Sequence, residues 1–153
     1  MDLILWRHAE ALEMREVEDD LDRALTPKGE RQAHRMALWL GRQLPSSTRV
    51  LVSPARRAQQ TAQALDRKFK TVPAIGPAGD VEGLLNAARW PEAREPVLVV
   101  GHQPTLGLAA SYLLATQPEP WVLRKGAVWW LRGREREGTM QVVLHAVISP
   151  ELL

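Results

Sequence analysis

A chain of 153 residues with 45% hydrophobic residues and no cysteine is long enough for one domain that buries its own core, and it excludes a disulfide framework and thiolate chemistry. Its 20 basic and 18 acidic residues leave a net charge of +2 and are interspersed throughout, as in Arg134-Glu135-Arg136-Glu137, which argues against nucleic acid as a partner. The first apolar run is too short for a signal peptide and no stretch approaches the ~20 apolar residues of a membrane span, so a soluble, cytoplasmic protein without a membrane partner is expected.

In chain order, Leu3 to Trp6 reads as a short buried strand that runs directly into Arg7-His8-Ala9-Glu10. Residues 10 to 25 carry Glu10, Glu13, Glu16, Glu18, Asp19 and Asp20 without a sustained apolar face, which predicts a loop lying over whatever the first strand presents. Ala33, Met36, Ala37, Leu40 and Leu44 then recur at helical spacing, with Thr26-Pro27 as a capping hydroxyl before a proline in the first turn. Arg49 to Val52 is a second strand. Ser53-Pro54 repeats the capping pattern before a helix whose stripe is Ala58, Ala62, Leu65 and Phe69.

Val97 to Val100 is an unbroken apolar run and reads as a central strand covered on both faces, followed by a helix from Pro104 through Leu113. Ala127 to Leu131 and Met140 to Ile148 flank Gly133 to Gly138 and predict a hairpin with a charged tip. Adjacent Trp129 and Trp130 must face opposite sides of their strand, one into the core and one outward. Strands alternating with helices predict an α/β fold: a three-layer sandwich with a mostly parallel central sheet flanked by helices and a C-terminal β-hairpin, with residues 1–153 forming a single domain.

Three strand ends deliver polar groups to one sheet edge, where open α/β sheets bind ligands: Arg7-His8, Arg56-Arg57 and His102. An arginine alone or a histidine alone is ordinary at a loop; together they suit a phosphoryl group. Guanidinium forks match phosphate oxygens, and charge-assisted bonds of this kind contribute roughly 1.5–3 kcal/mol each. A neutral imidazole whose other nitrogen is held as a donor can act as nucleophile, and a second imidazole can stabilise charge on the transferred group. Four scattered histidines without His-x-x-x-His or clustered carboxylate spacing, one of them beside an arginine, argue against a metal site.

Arg7-His8-Ala9, Leu25-Thr26-Pro27-Lys28-Gly29, Ser53-Pro54-Ala55-Arg56-Arg57-Ala58-Gln59-Gln60-Thr61-Ala62 and Val100-Gly101-His102-Gln103-Pro104 resemble, in order and spacing, the histidine phosphatase superfamily. The short length and the Arg-His-Ala form look most like its SixA-type phosphohistidine phosphatase branch. The resemblance implies that His8 becomes phosphorylated, that Arg7 and Arg57 bind the phosphoryl oxygens with His102 as second histidine, and that no cofactor is needed. Arg56 is then a neighbour at the rim, Ser53 a helix cap, and His34 and His145 structural.

Two departures stand out. Ala9 replaces a glycine common in the superfamily, which would strain the backbone if that position needed positive φ. The region Val72-Pro73-Ala74-Ile75 lacks the acid that many relatives place after the third strand, leaving Asp80, Glu82, Asp19 and Asp20 as candidate general acids. An imidazole leaves a phosphorus atom more easily than an alcohol does, because its conjugate acid has a pKa of about 6.5. The partner expected on this reading is a phosphorylated protein carrying phosphohistidine, with a small phosphorylated metabolite or a phosphorylated serine or threonine as alternatives. A sugar-phosphate mutase would need enclosing insertions that so short a chain lacks. A non-catalytic phosphate-binding module is a further alternative, but recognition alone would not require His8.

Overall fold

In the computed structural model, which describes residues 1–153, the strands form one sheet in the order β3-β2-β4-β1-β5-β6. Strands β1 (Asp2–Arg7), β2 (Arg49–Val52), β3 (Lys70–Thr71) and β4 (Val97–Gly101) are parallel. Strands β5 (Val128–Arg136) and β6 (Thr139–Ile148) complete the sheet antiparallel on the free side of β1. The expected α/β architecture is the one observed.

The strand period of two divides the core into two layers. Ile4, Trp6, Val50, Val52, Leu98 and Val100 pack against α1 (Pro27–Gln43) and α2 (Arg56–Gln63) through Met36, Leu40, Ala58 and Ala62. Leu3, Leu5, Leu51, Val97 and Val99 face the other way, onto Leu84 of α3 (Val81–Ala88) and Leu106 and Ala110 of α4 (Thr105–Ala115). Burying each such large side chain contributes about 1.5–3 kcal/mol, which is why continuous apolar runs are tolerated only in strands covered on both faces.

Helix α1 begins as expected: the Thr26 hydroxyl accepts from Gly29 N at 3.0 Å with Pro27 in the first turn. Its start is clamped to the chain leaving β1. A Cβ at Gly29 would lie 2.0 Å from the carbonyl oxygen of Glu10, so only glycine allows this approach, and Gln32 Oε1 accepts from Glu10 N at 2.9 Å.

Several expectations need correction. Ser53 is not the N-cap of α2: the helix starts at Arg56 with Ala55 at the N-cap position, and the Ser53 hydroxyl accepts from Ala55 N and also meets His102. The α2 helix ends at Gln63, although Leu65 and Phe69 still pack on the core; the chain turns at Asp66 with φ of 55°. The two-residue β3 and the eight-residue α3 were not anticipated. In the hairpin, Arg134 to Arg136 continue β5, and the turn is only Glu137-Gly138, with φ of 53° and 79° matching a tight two-residue turn. Trp129 and Trp130 do face opposite sides of β5, but neither is turned outward: Trp130 is buried in the layer under α1, and Trp129 is half-buried on the other layer beside Trp121. His145 is the extra residue of a β-bulge opposite Trp130 and Leu131, and it lies exposed with its ring 5.3 Å from that of Trp130. His34 is exposed on α1.

Candidate active site

The carboxyl ends of β1, β2 and β4 meet at one edge of the sheet. His8 follows β1 directly, its backbone N–H donating to Gly101 O at 3.1 Å, and Ser53 N donates to Val100 O at 3.1 Å. The three strand ends are therefore laced by their own backbone. His8 and His102 are 7% and 3% exposed and their ring centroids lie 5.2 Å apart.

His8 Nδ1 lies 2.8 Å from the carbonyl oxygen of Ala9. A carbonyl only accepts, so Nδ1 carries the proton and Nε2 keeps its lone pair. Burial, opposed by that hydrogen bond and reinforced by the positive charge of Arg57 and Arg7, pushes the His8 pKa down to about 3. A neutral imidazole with a lone pair on Nε2 is the form present near neutral pH. Ala9 has no positive φ, so the backbone here needs no glycine; its N–H donates to Thr61 Oγ1 at 3.0 Å, and that hydroxyl donates to Arg57 O at 2.7 Å, tying α2 to the end of β1.

The arginines are held from two sides. Arg7 Nη1 donates to Leu123 O at 2.7 Å. That segment is positioned in turn by α4, where a Cβ at Gly107 would stand 1.7 Å from Trp121 O, and by Gly126 N, which reaches the carbonyls of Arg7 and His8 at 3.1 Å each. Arg57, in the first turn of α2, donates from Nη1 to Asp20 O at 2.8 Å and from Nη2 to Asp20 Oδ2 at 3.1 Å. Arg56 is exposed.

His102 Nε2 lies 2.6 Å from Ser53 Oγ, and that oxygen accepts from Ala55 N at 3.1 Å, which leaves its hydroxyl hydrogen for the ring. Burial first, then the charge of Arg57, lowers the His102 pKa to about 4. His102 Nδ1, Arg7 Nε and Arg57 Nε are buried with no protein partner. Buried polar groups are rarely left so, and three of them among these four side chains mark a place for a polar ligand.

The candidate acids separate cleanly. Asp80 caps α3, accepting from Gly83 N at 2.8 Å, and Glu82 is exposed in the same first turn. Asp19 caps a short 3-10 turn, accepting from Leu21 N at 3.0 Å. Only Asp20 reaches the four residues, where its carboxylate bridges Arg57 and Arg23, whose Nε donates to Oδ1 at 2.9 Å. Burial works against its charge, but the bonds and charges of Arg57 and Arg23 outweigh it and hold the carboxyl below its ordinary range. The acidic segment thus does lie over the site. Sequence reasoning missed Arg23, which steadies this bridge through Nη1 to Leu12 O at 2.9 Å, and the Ser53–His102 contact. No group of three or more His, Cys, Asp or Glu is placed to hold a metal ion, and no helix is long and apolar enough to cross a membrane.

Fold and site together define an open α/β sheet protein with a cationic, two-histidine cluster at the carboxyl ends of its parallel strands. A model of the histidine phosphatase superfamily (branch 1) matches residues 3–78. The chain is 33% identical over 129 residues to phosphohistidine phosphatase SixA of Escherichia coli (strain K12), a match that spans 78% of both chains. Among solved structures, that assigned to SixA of Nakamurella multipartitia superposes with a TM-score of 0.79 at 26% identity, covering 97% of this chain and 95% of that one. The protein histidine phosphatase SixA complexed with tungstate gives 0.78 at 26% identity over 99% of each chain. The chain belongs to the histidine phosphatase superfamily of hydrolases, and within it resembles SixA in sequence and fold.

Proposed function

We propose that the protein is a phosphohistidine phosphatase that works through a covalent phosphohistidine on His8 and takes its phosphoryl group from a phosphorylated protein. The observation that carries this reading is the His8 ring: buried, neutral, with Nδ1 held on Ala9 O and Nε2 left to attack. Arg7 and Arg57 hold the phosphoryl oxygens. His102 supplies a further donor: with the Ser53 hydroxyl donating to Nε2, its Nδ1–H turns to an oxygen, and the negative group draws its pKa up. The tungstate carried by one SixA structure is a tetrahedral oxyanion of the kind such a pocket would hold.

The first step forms a bond from His8 Nε2 to phosphorus and breaks the bond from phosphorus to the substrate imidazole, which departs neutral with its own proton. One P–N bond replaces another of the same type, so the step is close to thermoneutral. Water then attacks phosphorus, the P–N bond to His8 breaks with its electron pair returning to Nε2 while Nδ1 keeps its proton, and inorganic phosphate leaves with the protons of the water, which restores the neutral ring. Neither step asks for a carboxylic acid. That agrees with a site whose one carboxyl, Asp20, is held ionised between two guanidinium groups, where it cannot protonate an alkoxide.

With EDTA present, kcat/KM for phosphohistidine should exceed that for phosphoserine by about 10²-fold or more, the span a general acid contributes. Equal or faster turnover of phosphoserine would overturn the substrate assignment. Asp20 also competes with substrate for Arg57. In Asp20→Asn the guanidinium keeps its bond to the backbone carbonyl but loses the opposing charge, and competitive inhibition by inorganic phosphate at pH 7.5 should strengthen about fivefold. Unchanged inhibition would mean the phosphoryl group does not sit on Arg57.

A further inference from the structure

The rim of the site is two-signed. On the Arg57 side lies the acidic segment, where Glu16, Glu18, Asp19 and Asp22 are exposed around the Asp20 bridge and Glu13 is paired with Arg15. On the Arg7 side lie five exposed cations. Lys28, Arg31 and Arg35 share one face of α1 by their spacing of three and four, and they line a single groove with Gln32, Pro150 and Glu151. Arg124 and Lys125 occupy the short stretch between Leu123, whose carbonyl holds Arg7, and Gly126, whose N–H holds the Arg7 and His8 carbonyls.

The two basic groups adjoin each other. A Cβ at Gly126 would lie 3.2 Å from Pro150 and 3.3 Å from Gln32 Cβ, and the Glu151 carboxylate, held down first by its Ser149 hydrogen bond, also feels both Arg124 and Lys28. None of the five cations forms an ion pair within 4 Å. The catalytic chemistry above uses none of them, and a free phosphate has no reach to Arg31 or Arg35, one to two helical turns along α1.

We propose that this rim is a docking surface for the phosphoprotein substrate, in which Lys28, Arg31, Arg35, Arg124 and Lys125 receive an acidic patch beside the phosphohistidine and the acidic lip opposite receives a basic one. The inference rests on the phosphohistidine reading and adds the charge pattern of the partner. A protein is favoured over a nucleic acid or an anionic membrane because a uniform polyanion laid across the site would meet the four unpaired carboxylates of Glu16, Glu18, Asp19 and Asp22 on the far lip.

The test is Lys28→Glu/Arg31→Glu/Arg35→Glu, three exposed positions outside the site. Two substrates are compared at low salt: free phosphohistidine and an acidic phosphotransfer domain carrying phosphohistidine. The expected result is a KM for the domain raised about tenfold with kcat unchanged, free phosphohistidine turnover unaltered, and a salt dependence of the wild type that the variant has lost. An unmoved KM, or an equal effect on free phosphohistidine, overturns the proposal. So does tighter binding of the wild type to phosphatidylserine vesicles or duplex DNA than to the domain, if the same variant abolishes it. If the wild type hydrolyses neither substrate, the enzymatic reading fails instead. The docking claim is then decided by equilibrium binding of the phosphorylated domain to wild type and variant, where a tenfold loss supports it and equal affinity overturns it.

Discussion

His8→Asn is expected to lower kcat/KM for phosphohistidine by about 10⁴-fold or more while leaving the protein folded. The asymmetry follows from what the residue does in the structure. Its structural interactions are backbone bonds with Gly101 O and Gly126 N, which any residue keeps, and a side-chain bond from Nδ1 to Ala9 O, to which an asparagine amide can still donate. The nucleophilic Nε2 has no counterpart in asparagine. Removing it also removes the covalent intermediate, so acid-labile radioactive phosphate should label the wild type after quenching and leave the variant unlabelled. Labelling of the His8→Asn protein would place the intermediate elsewhere, with His102 the next imidazole, 5.2 Å away between centroids. A merely weakened enzyme, still within about tenfold of wild type, would show that the pocket activates water directly and that His8 only binds.

That Arg7-His8, Arg56-Arg57 and His102 share one sheet edge was legible in the sequence through local geometry, while the choice of Arg57 over Arg56 was implied by the family resemblance alone. Each follows an apolar run within a few residues, and parallel strands deliver their carboxyl ends to one edge whatever connects them. What surrounds them was not legible. Leu123 holds Arg7 across 116 residues, Ser53 meets His102 across 49, and Asp20 meets Arg57 across 37. No spacing rule links such pairs; they exist because the tertiary fold brings a loop or a strand end there. Ser53 illustrates the cost. Its position before proline fits a cap, yet α2 starts at Arg56 without a side-chain cap, and the hydroxyl serves both the Ala55 N–H and the His102 ring, a contact that no local pattern announces.

The elements divide on similar lines. Strands β1 and β4 and helix α1 carry enough apolar residues in phase to be read directly, whereas α3 offers only eight residues and β3 two exposed ones. The Asp80 cap was a readable signal for α3: an aspartate one residue before a short apolar segment is what an N-terminus looks like, and reading it as a candidate acid hid the helix behind it. The end of α2 had no such signal, since Leu65 and Phe69 keep the apolar stripe in phase after the backbone has left the helix at Asp66, a left-handed residue that is not glycine.

Stability should fall steeply below pH 6.5 because the two site histidines are buried neutral. The sign follows from proton counts. With folded-state pKa values of about 3 for His8 and about 4 for His102, against 6.5 in the unfolded chain, the unfolded state binds more protons throughout the interval between them. Unfolding therefore becomes easier as pH falls through that window, and the stability the neutral rings permit is fully present only above 6.5. At pH 5 each histidine favours the unfolded chain by about 2 kcal/mol, about 4 kcal/mol together, a large fraction of what a domain of this size holds. Urea unfolding at pH 7.5 and 5 should show wild type losing about 4 kcal/mol more than His8→Asn/His102→Asn, in which those positions no longer titrate. Asp2 and Asp20 are paired carboxylates common to both proteins, so their smaller losses, which begin at lower pH, cancel in the difference. Equal losses in the two proteins would mean that the rings are already charged or hydrated in the folded state. Inorganic phosphate sharpens the same test. An oxyanion held by Arg7 and Arg57 pulls the His102 pKa upward, so saturating phosphate should stabilise the wild type more at pH 5.5 than at pH 7.5, and this extra gain should vanish in His102→Asn.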